Sequence, residues 1–213
     1  MSARVSEAII LRSYPLREAD LIVSFFTRDH GKLRGVARSG RRPGNRFGSG
    51  LERLSYVKMF YFQRENRELV TLDTCDLIRS QFALAGHYET TVALDYLAEV
   101  SEQLLPAAEP SERYFRLLLS VTDHLRREAV AGVWPAVTYF SLWAVRLSGF
   151  LPELPVGEED RRIAEEMLRT PVSGLAPRPW SRQTGASLRR TMTRLIEEHC
   201  ERKLVSAQHL ETL

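Results

Sequence analysis

The stretch RDHGKLRGVARSGRRPGNR, residues 28–46, decides how the N-terminal part of this 213-residue chain is interpreted. It contains seven basic residues and a single acidic one, Asp29. The basic residues are Arg28, Lys32, Arg34, Arg38, Arg41, Arg42 and Arg46. Four glycines and Pro43 interrupt the stretch, and because both residue types disfavour a helix interior, we predict a strand and loops here.

Such a density of positive charge on a strand and loops favours a polyanion as partner. Each phosphate that a lysine or arginine neutralises releases condensed counterions, which drives sequence-independent binding to nucleic acid. The alternative is a solvated basic loop without a ligand. Residues 1–80 hold fifteen Lys+Arg and nine Asp+Glu, a net charge of +6, whereas residues 81–213 carry −3. This division indicates a nucleic-acid face on the first part and a different task for the second.

Composition narrows the class of protein. With 44% hydrophobic residues, the chain can form one large core or two smaller ones, and we predict domains at 1–80 and 81–213. No run of about eighteen apolar residues occurs, so a membrane span is not expected. The first ten residues lack the apolar region and cleavage site of a signal peptide. Cys75 and Cys200 show no metal-ligand spacing, and a reduced, cytoplasmic protein is the simplest interpretation.

Up to about residue 80 the pattern is that of short strands. Segments with alternating polarity, or rich in β-branched and aromatic residues, predict strands at 5–13, 21–27, 32–37, 54–62 and 68–74. The polar sequence QREN at 63–66 has the length of a hairpin connection. Five short strands with glycine-bearing turns predict a small closed barrel. By analogy, a barrel of this kind with a basic groove is of the oligonucleotide-binding (OB) type.

From residue 81 the pattern is helical, so the predicted fold class is α+β, an OB barrel followed by an all-helical domain. Apolar spacing predicts helices at 82–105, 111–125, 134–147, 158–169 and 185–202. Ser111 fits a helix N-cap, and Gly149 with Pro152 should end the third helix. Residues 171–182 contain three prolines and should form a loop.

Catalytic motifs are missing from the sequence. It contains no Walker-type glycine loop with its lysine, no GxSxG elbow and no HExxH motif. The five histidines are scattered over different predicted elements and fit surface or packing roles. The sequence therefore indicates a binding protein rather than an enzyme.

Residues 7–61 resemble the N-terminal domain of the bacterial recombination mediator family RecO. The matching motifs are LRS at 11–13, EAD at 18–20, FT and GKLR within 26–34, VAR, GRRP and RF within 36–47, and LE at 51–52. REL at 67–69 with Leu72 resembles the family's next hairpin. In the second half, FSLWAVRLSGF at 140–150 and the segment 195–206 resemble helices of the same family, so the resemblance spans nearly the whole chain.

The resemblance implies a non-enzymatic role in DNA repair. RecO-like proteins bind single-stranded and double-stranded DNA and anneal complementary strands. They contact the C-terminal tail of single-stranded-DNA-binding protein, and they work with RecR to load RecA. The implied setting is the cytoplasm at the nucleoid, without membrane attachment.

One departure from the family pattern concerns metal. Many members carry four cysteines as a zinc site directly after the glycine-aromatic step. Here that region reads FLPELPVGEEDR, residues 150–161, without a cysteine. Structural zinc needs four ligands, so we predict a shortened segment, no metal site and no cofactor.

The candidate DNA-binding residues follow from charge and from the matched motifs. They are Arg12, Lys32, Arg34, Arg38, Arg41, Arg42 and Arg46. Arginine suits the role because its planar fork bonds phosphate bidentately and stacks on unpaired bases. Tyr14, Phe47, Tyr56 and Phe60 could stack on bases, with barrel core as the alternative, favoured for Phe60 and equal for Phe47. We find no base-specific reader, so binding should depend weakly on sequence.

The candidate residues for the protein tail lie in the helical half, which the family uses for this contact. An acidic tail that ends in an aromatic residue needs an apolar pocket with cations at its rim. Trp143 and Phe150 lie three and four residues from Arg146, and Arg189 and Arg190 are further possible rim cations. The alternative is a core helix whose arginine only covers apolar surface.

Two rival classes share some of these features. An OB-fold RNA-binding or ribosome-associated module would explain the basic loops equally well, but would not predict the acidic helical half. A transcription regulator would need a helix-turn-helix with a basic recognition helix. Its best candidate, 186–194, follows a proline-rich loop instead of a short turn.

Overall fold

The computed structural model describes residues 2–64 and 68–213. Five strands come first: β1 (Ser2–Leu16), β2 (Asp20–Thr27), β3 (Gly31–Ala37), β4 (Tyr56–Gln63) and β5 (Leu69–Arg79). They form a closed barrel in the order β1-β2-β3-β5-β4, in which β3 and β5 are parallel and the other pairs antiparallel. The predicted OB-type barrel is confirmed. Glu65 and Asn66 of the predicted hairpin connection, and Arg67 of the matched motif, lie outside the described residues.

The barrel interior is filled by alternate residues of every strand, as the period of two requires. Ile10, Phe25, Leu33 and Met59 are among its buried members. Residues 38–55, between β3 and β4, add Phe47 to the same core. The loop that carries most of the positive charge is therefore anchored by a buried aromatic side chain.

Six helices follow the barrel, and they confirm the helices that the sequence predicts. They are α1 (Tyr88–Leu104), α2 (Glu112–Glu128), α3 (Val133–Leu147), α4 (Glu158–Arg169), α5 (Ala186–Cys200) and α6 (Val205–Leu210). Two details differ from the prediction. A 3-10 turn at Phe82–Gly86 precedes α1, and α6 was not predicted.

The chain folds into two compact units. The barrel unit runs to Phe82 and includes Leu105–Phe115, and the helical unit comprises Ala83–Leu104 and Arg116–Leu213. The segment 105–115 lies beyond the predicted boundary at residue 80, yet it packs in the barrel unit. Its Ala108 amide donates to the carbonyl of Lys32 at 2.9 Å, and the Phe115 ring lies 5.8 Å from that of Phe26.

The helical unit is built around α3. Of its residues, Phe140, Leu142 and Val145 are fully buried. The Tyr96 hydroxyl on α1 lies 2.9 Å from Ser141 Oγ on α3 and 3.4 Å from Thr193 Oγ1 on α5. These polar contacts satisfy hydroxyl groups that would be costly to bury alone. Among the described residues, no helix has the length and apolar character needed to cross a membrane.

Gly31 shows how tightly the 105–115 segment is fitted. Its φ is +72°, and a Cβ built there would overlap the backbone of Glu109. Gly44 also has positive φ, at +69°, but a Cβ there has nothing within 4 Å. A side chain at Gly44 would therefore introduce conformational strain alone, whereas a side chain at Gly31 would introduce both strain and steric overlap.

We expect Gly31→Ala to lower the free energy of unfolding by more than Gly44→Ala does. The second change brings only left-handed strain, about 1–2 kcal/mol, whereas the first adds a backbone clash. Urea denaturation followed by circular dichroism measures both. Equal losses in the two variants would show that the 105–115 segment does not press on Gly31.

Candidate nucleic-acid interface

Two exposed arginines lie in one row across the outer face of the barrel. Arg12 on β1 pairs with Ser24 on β2, and Ser24 pairs with Arg34 on β3, so the three residues stand side by side. Arg12 and Arg34 are exposed, whereas Ser24 is buried between them. Because neighbouring strands are about 4.8 Å apart, the two arginine Cα atoms are about 10 Å apart. We call Arg12, Ser24 and Arg34 the cationic row.

A second row lies two residues further along each strand and is largely apolar. Tyr14 pairs with Ile22, and Ile22 with Val36. All three are half-buried, and none belongs to the barrel core. We call these residues the apolar stripe. On β5, Thr71 pairs with Val36 and continues it.

The basic loop, residues 38–46, begins where β3 ends and is held at several points. The Ser39 amide donates to Asp20 Oδ1 at 2.8 Å, and the Arg41 amide donates to the Ala19 carbonyl at 3.0 Å. The Arg41 guanidinium reaches the Glu18 carbonyl at 3.4 Å. The loop is therefore fixed against the turn between β1 and β2, beside the apolar stripe.

The predicted cations differ in how exposed they are. Arg38, Arg41 and Arg42 are exposed on the basic loop. Arg46 is exposed as well, but its guanidinium forms an ion pair with Asp73 at 3.1 Å. Lys32 is half-buried and pairs with Phe26, next to the part of the face that the 105–115 segment covers. The structure thus brings Arg12, Arg34 and the basic loop to one face and leaves Lys32 at its margin.

Arg53 belongs to this face, although sequence reasoning missed it. Partial burial of its side chain, and then the nearby charge of Arg12, lower the pKa of Arg53. The effect of Arg12 on this pKa shows that the guanidinium groups of Arg12 and Arg53 lie near each other, although the two residues are far apart in sequence. The signal in the sequence was weak, because Arg53 lies outside the glycine-rich stretch and beside Glu52.

Only part of the predicted set of aromatic residues can reach a ligand. Phe47 and Tyr56 are buried, so they cannot stack on a base. Phe60, expected in the core, is instead half-exposed, with the Lys58 ammonium 5.6 Å from its ring centroid. Tyr14 is half-buried beside the cationic row, and the Arg12 guanidinium lies 4.8 Å from the centroid of its ring.

The candidates for tail binding fall into separate places in the helical unit. Arg146 does lie over the Trp143 ring, 5.2 Å from its centroid, and Trp143 Nε1 donates to the Met167 carbonyl at 2.9 Å. Phe150, however, stacks on His199 with the ring centroids 4.1 Å apart. Trp143 is thus tied to α4 through its hydrogen bond with Met167.

Arg189 is not a rim cation, in contrast to the prediction, because it is buried. Its guanidinium lies 4.6 Å from the Trp134 ring centroid and donates to Thr138 Oγ1 at 3.0 Å and to the carbonyls of Thr184 and Arg182. Burial is the main cause that lowers the pKa of Arg189 to about 10. These contacts tie the loop before α5 to α3.

A cavity of about 300 Å³ lies beside Arg189. Its apolar lining includes Trp134, Val137 and Leu210, and its cations include the exposed Arg190 and Arg194. Other charged residues of the lining already form ion pairs. Lys203 pairs with Glu197, and Glu211 pairs with Arg182, which does not line the cavity. Trp143, Arg146 and Met167 form a second site, which we call the Trp143 cluster. Trp134 and Trp143 are nine residues apart on α3, about 13 Å along the axis, so the cavity is distinct from this cluster.

No metal centre is visible in the described part of the chain: no three His, Cys, Asp or Glu side chains there are grouped to hold an ion. Burial raises the pKa of the Cys75 thiol to about 11, which keeps it protonated and a poor ligand at neutral pH.

A closed five-stranded barrel with this strand order and a cationic outer face defines an OB fold. In this chain a helical domain follows the OB fold. The family model "Recombination protein O N terminal" matches residues 1–81, and "Recombination protein O C terminal" matches residues 86–157. The chain therefore belongs to the RecO family.

Individual relatives agree with this assignment. The chain is 40% identical, over an alignment of 242 positions, to DNA repair protein RecO of Koribacter versatilis, and the alignment covers 98% of each chain. It is 26% identical, over an alignment of 242 positions, to the protein of that name from Anaeromyxobacter sp. strain K, and the alignment covers 96% of this chain and 94% of the relative. With the Cutibacterium acnes protein it shares 32% identity over 152 residues, 70% of this chain and 61% of the relative.

The burial of Arg189 predicts a structural role that its neighbour does not share. We expect Arg189→Ala to lower the free energy of unfolding by about 2–3 kcal/mol, because carbonyl groups lose a charged donor. Arg190→Ala, at an exposed position, should change it by less than about 0.5 kcal/mol. Urea titration of both variants measures the difference. If Arg189→Ala were as stable as Arg190→Ala, the buried guanidinium would not hold the loop to α3.

Proposed function

We propose that this protein is a recombination mediator in DNA repair, acting in the cytoplasm at the nucleoid without catalysing a reaction. In this role it binds single-stranded and double-stranded DNA and anneals complementary strands. Together with RecR it helps to load RecA onto DNA coated by single-stranded-DNA-binding protein. Membership in the RecO family and the names of the relatives support the role in repair.

The observation that carries the proposal is the convergence of cations on one face of the barrel. Arg12 and Arg34 come from different strands, and the basic loop adds Arg38 and Arg42 beside them. Their side chains are exposed, so phosphate can reach them without unfolding the loop. Guanidinium groups bond phosphate bidentately, and an OB barrel offers this same face and its adjoining loops to oligonucleotides.

Annealing follows from the same charges. Two nucleic-acid strands repel each other, and an array of guanidinium groups lowers that repulsion while the complementary bases find one another. The described residues of this face provide arginine in excess and place Asp20 and Asp73 in contacts with Ser39 and Arg46. Because arginines outnumber carboxylates at this face, its net charge is positive.

The first test replaces Arg38 and Arg42 by alanine. We expect affinity for all DNA sequences to fall, and the slope of log affinity against log salt to become shallower by up to about two, roughly one for each lost phosphate contact. Filter binding at several salt concentrations measures both quantities. The matched control replaces Arg161 and Arg169, which are exposed on α4 of the helical unit.

Two results would contradict the proposal. Equal losses in the two double variants would remove the barrel face as the DNA site. Tighter binding of structured RNA than of either form of DNA would favour the RNA-binding or ribosome-associated module instead. An annealing assay with complementary oligonucleotides then tests the second activity in the same variants.

We further propose that the tail of single-stranded-DNA-binding protein docks in the cavity beside Arg189. An acidic tail with a terminal aromatic residue suits this site, because Trp134, Val137 and Leu210 form an apolar lining. Arg190 and Arg194 supply exposed positive charge at the same cavity. The Trp143 cluster offers one cation, Arg146, and the indole nitrogen of Trp143 is already hydrogen-bonded to the Met167 carbonyl.

Peptide binding by calorimetry tests the position of the tail. We expect Arg190→Ala and Arg194→Ala each to weaken binding by about 1–2 kcal/mol, the loss of a charge-assisted contact. Arg146→Ala is the control and should bind normally. The reverse pattern would move the tail to Trp143 and Arg146, and DNA affinity should remain constant in all three variants.

A further inference from the structure

The C-terminal segment of the chain forms part of the wall of the cavity beside Arg189. α6 contributes Ala207 and Leu210 to the apolar lining, and α3 contributes Trp134 and Val137. Apolar surface from two different helices therefore meets at this cavity. The cavity keeps its shape only while α6 lies against the rest of the helical unit.

α6 is too short to hold this position by itself. It has six residues, Val205–Leu210, and isolated helices of fewer than about 12 residues are marginal in water. Its N-cap residue is Leu204, whose side chain makes no capping hydrogen bond. The first backbone amides of a helix have no partner within that helix, so the amides of α6 need an acceptor from another part of the fold.

Glu99 on α1 supplies this acceptor. Its Oε1 accepts a hydrogen bond from the Val205 amide at 3.1 Å, and its Oε2 accepts one from the Ser206 amide at 2.7 Å. The Ser206 hydroxyl donates to the same Oε2. Hydrogen bonds to an ionised carboxylate are stronger than neutral ones, and negative charge is favourable at the N-terminus of a helix. Glu99 thus caps α6 from another helix.

Other contacts hold the segment as well, but they do not isolate its position as Glu99 does. Glu197 of α5 accepts from the Leu204 amide at 3.0 Å, yet Glu197 itself lines the cavity. Glu211 pairs with Arg182 at 3.4 Å, and because both side chains are largely exposed, this pair contributes little. Glu99 does not line the cavity, so it can affect a ligand there only through the segments that it holds.

We infer that Glu99 is a positioning residue for the tail cavity: by capping α6 it sets the wall against which the apolar end of the tail packs. The inference rests on the proposed function, because it takes the acidic tail as the occupant of this cavity. Tyr96 lies one turn before Glu99 on α1 and lines the cavity, and its hydroxyl contacts Ser141 and Thr193. The carboxylate therefore holds α6 beside a part of the lining that is already fixed.

Calorimetry with a synthetic peptide, acidic and ending in phenylalanine, tests the role of Glu99. We expect Glu99→Ala to weaken binding by about tenfold, because the apparent affinity falls with the fraction of molecules that have the wall in place. Glu99→Gln keeps one acceptor oxygen without the charge and should weaken binding by only about threefold. The affinity for DNA should not change in either variant.

Glu166→Ala is the matched control. Glu166 on α4 is half-buried, as Glu99 is, and its carboxylate accepts from the Ala176 amide at 2.6 Å and pairs with Arg178. It therefore ties another segment to a helix of the same unit, but it does not line the cavity. The change should lower the free energy of unfolding and leave the peptide affinity unaltered. All affinities are measured at a temperature at which circular dichroism shows the variants to be folded.

Hydrogen exchange in the wild-type protein gives a second readout that needs no substitution. The amides of Val205 and Ser206 bond to Glu99, and neither residue lines the cavity. If the peptide requires α6 in place, its binding must stabilise that state. Both amides should then exchange several times more slowly when the peptide is bound, although the peptide does not touch them.

The outcomes separate this inference from the proposed function. Normal peptide affinity in Glu99→Ala, or equal losses in Glu99→Ala and Glu166→Ala, would overturn the inference and leave the tail in the cavity. Exchange at Val205 and Ser206 that the peptide does not slow would do the same, and this measurement and Glu99→Gln decide the question even if Glu99→Ala does not fold. A wild-type protein that binds no peptide would overturn the proposed placement of the tail and this inference together.

Discussion

Closure of the barrel is the constraint on which the rest of the N-terminal half depends. The parallel pairing of β3 with β5 joins the first three strands to the last two, and β4 returns to β1. Once the sheet is closed, every strand residue must face either the core or the outside. Arg12 and Arg34 then fall in one row and Tyr14, Ile22 and Val36 in the next, although they come from three separate strands. The candidate interface is a consequence of strand register more than of any single motif.

The basic loop is a charged segment that the fold keeps ordered. Glycine gives residues 38–46 wide conformational freedom in an isolated chain, yet contacts from Ser39 and Arg41 hold the segment to the turn between β1 and β2. Phe47 then anchors its far end in the barrel core. A loop that is already ordered loses less entropy when it meets a ligand, so more of the electrostatic attraction remains as affinity.

Local patterns in the sequence were sufficient for the strands, for five of the six helices and for the placement of the exposed arginines. They were not sufficient where the deciding contact is distant. α6 has only six residues, and Glu99 of α1 accepts hydrogen bonds from the amides of Val205 and Ser206. Arg189 could be read as a surface cation, because its burial depends on Trp134 and Thr138, some fifty residues away. The orientation of Phe47 stayed open until the course of residues 38–55 was known, and Phe60, expected in the core, is half-exposed on β4.

The contacts of Glu99 also affect the order in which the chain can fold during synthesis. The barrel unit is complete once residue 115 has been made, since Leu105–Phe115 is its last part. The helical unit must wait for Ser206, which bonds to a carboxylate 107 residues earlier. At a synthesis rate of about 5–20 residues per second, the ribosome needs roughly 5–20 seconds for the interval between them. During that time α1 gains α3 as its first packing partner, while the side that packs against α5 and α6 stays uncovered until the last residues of the chain have been made.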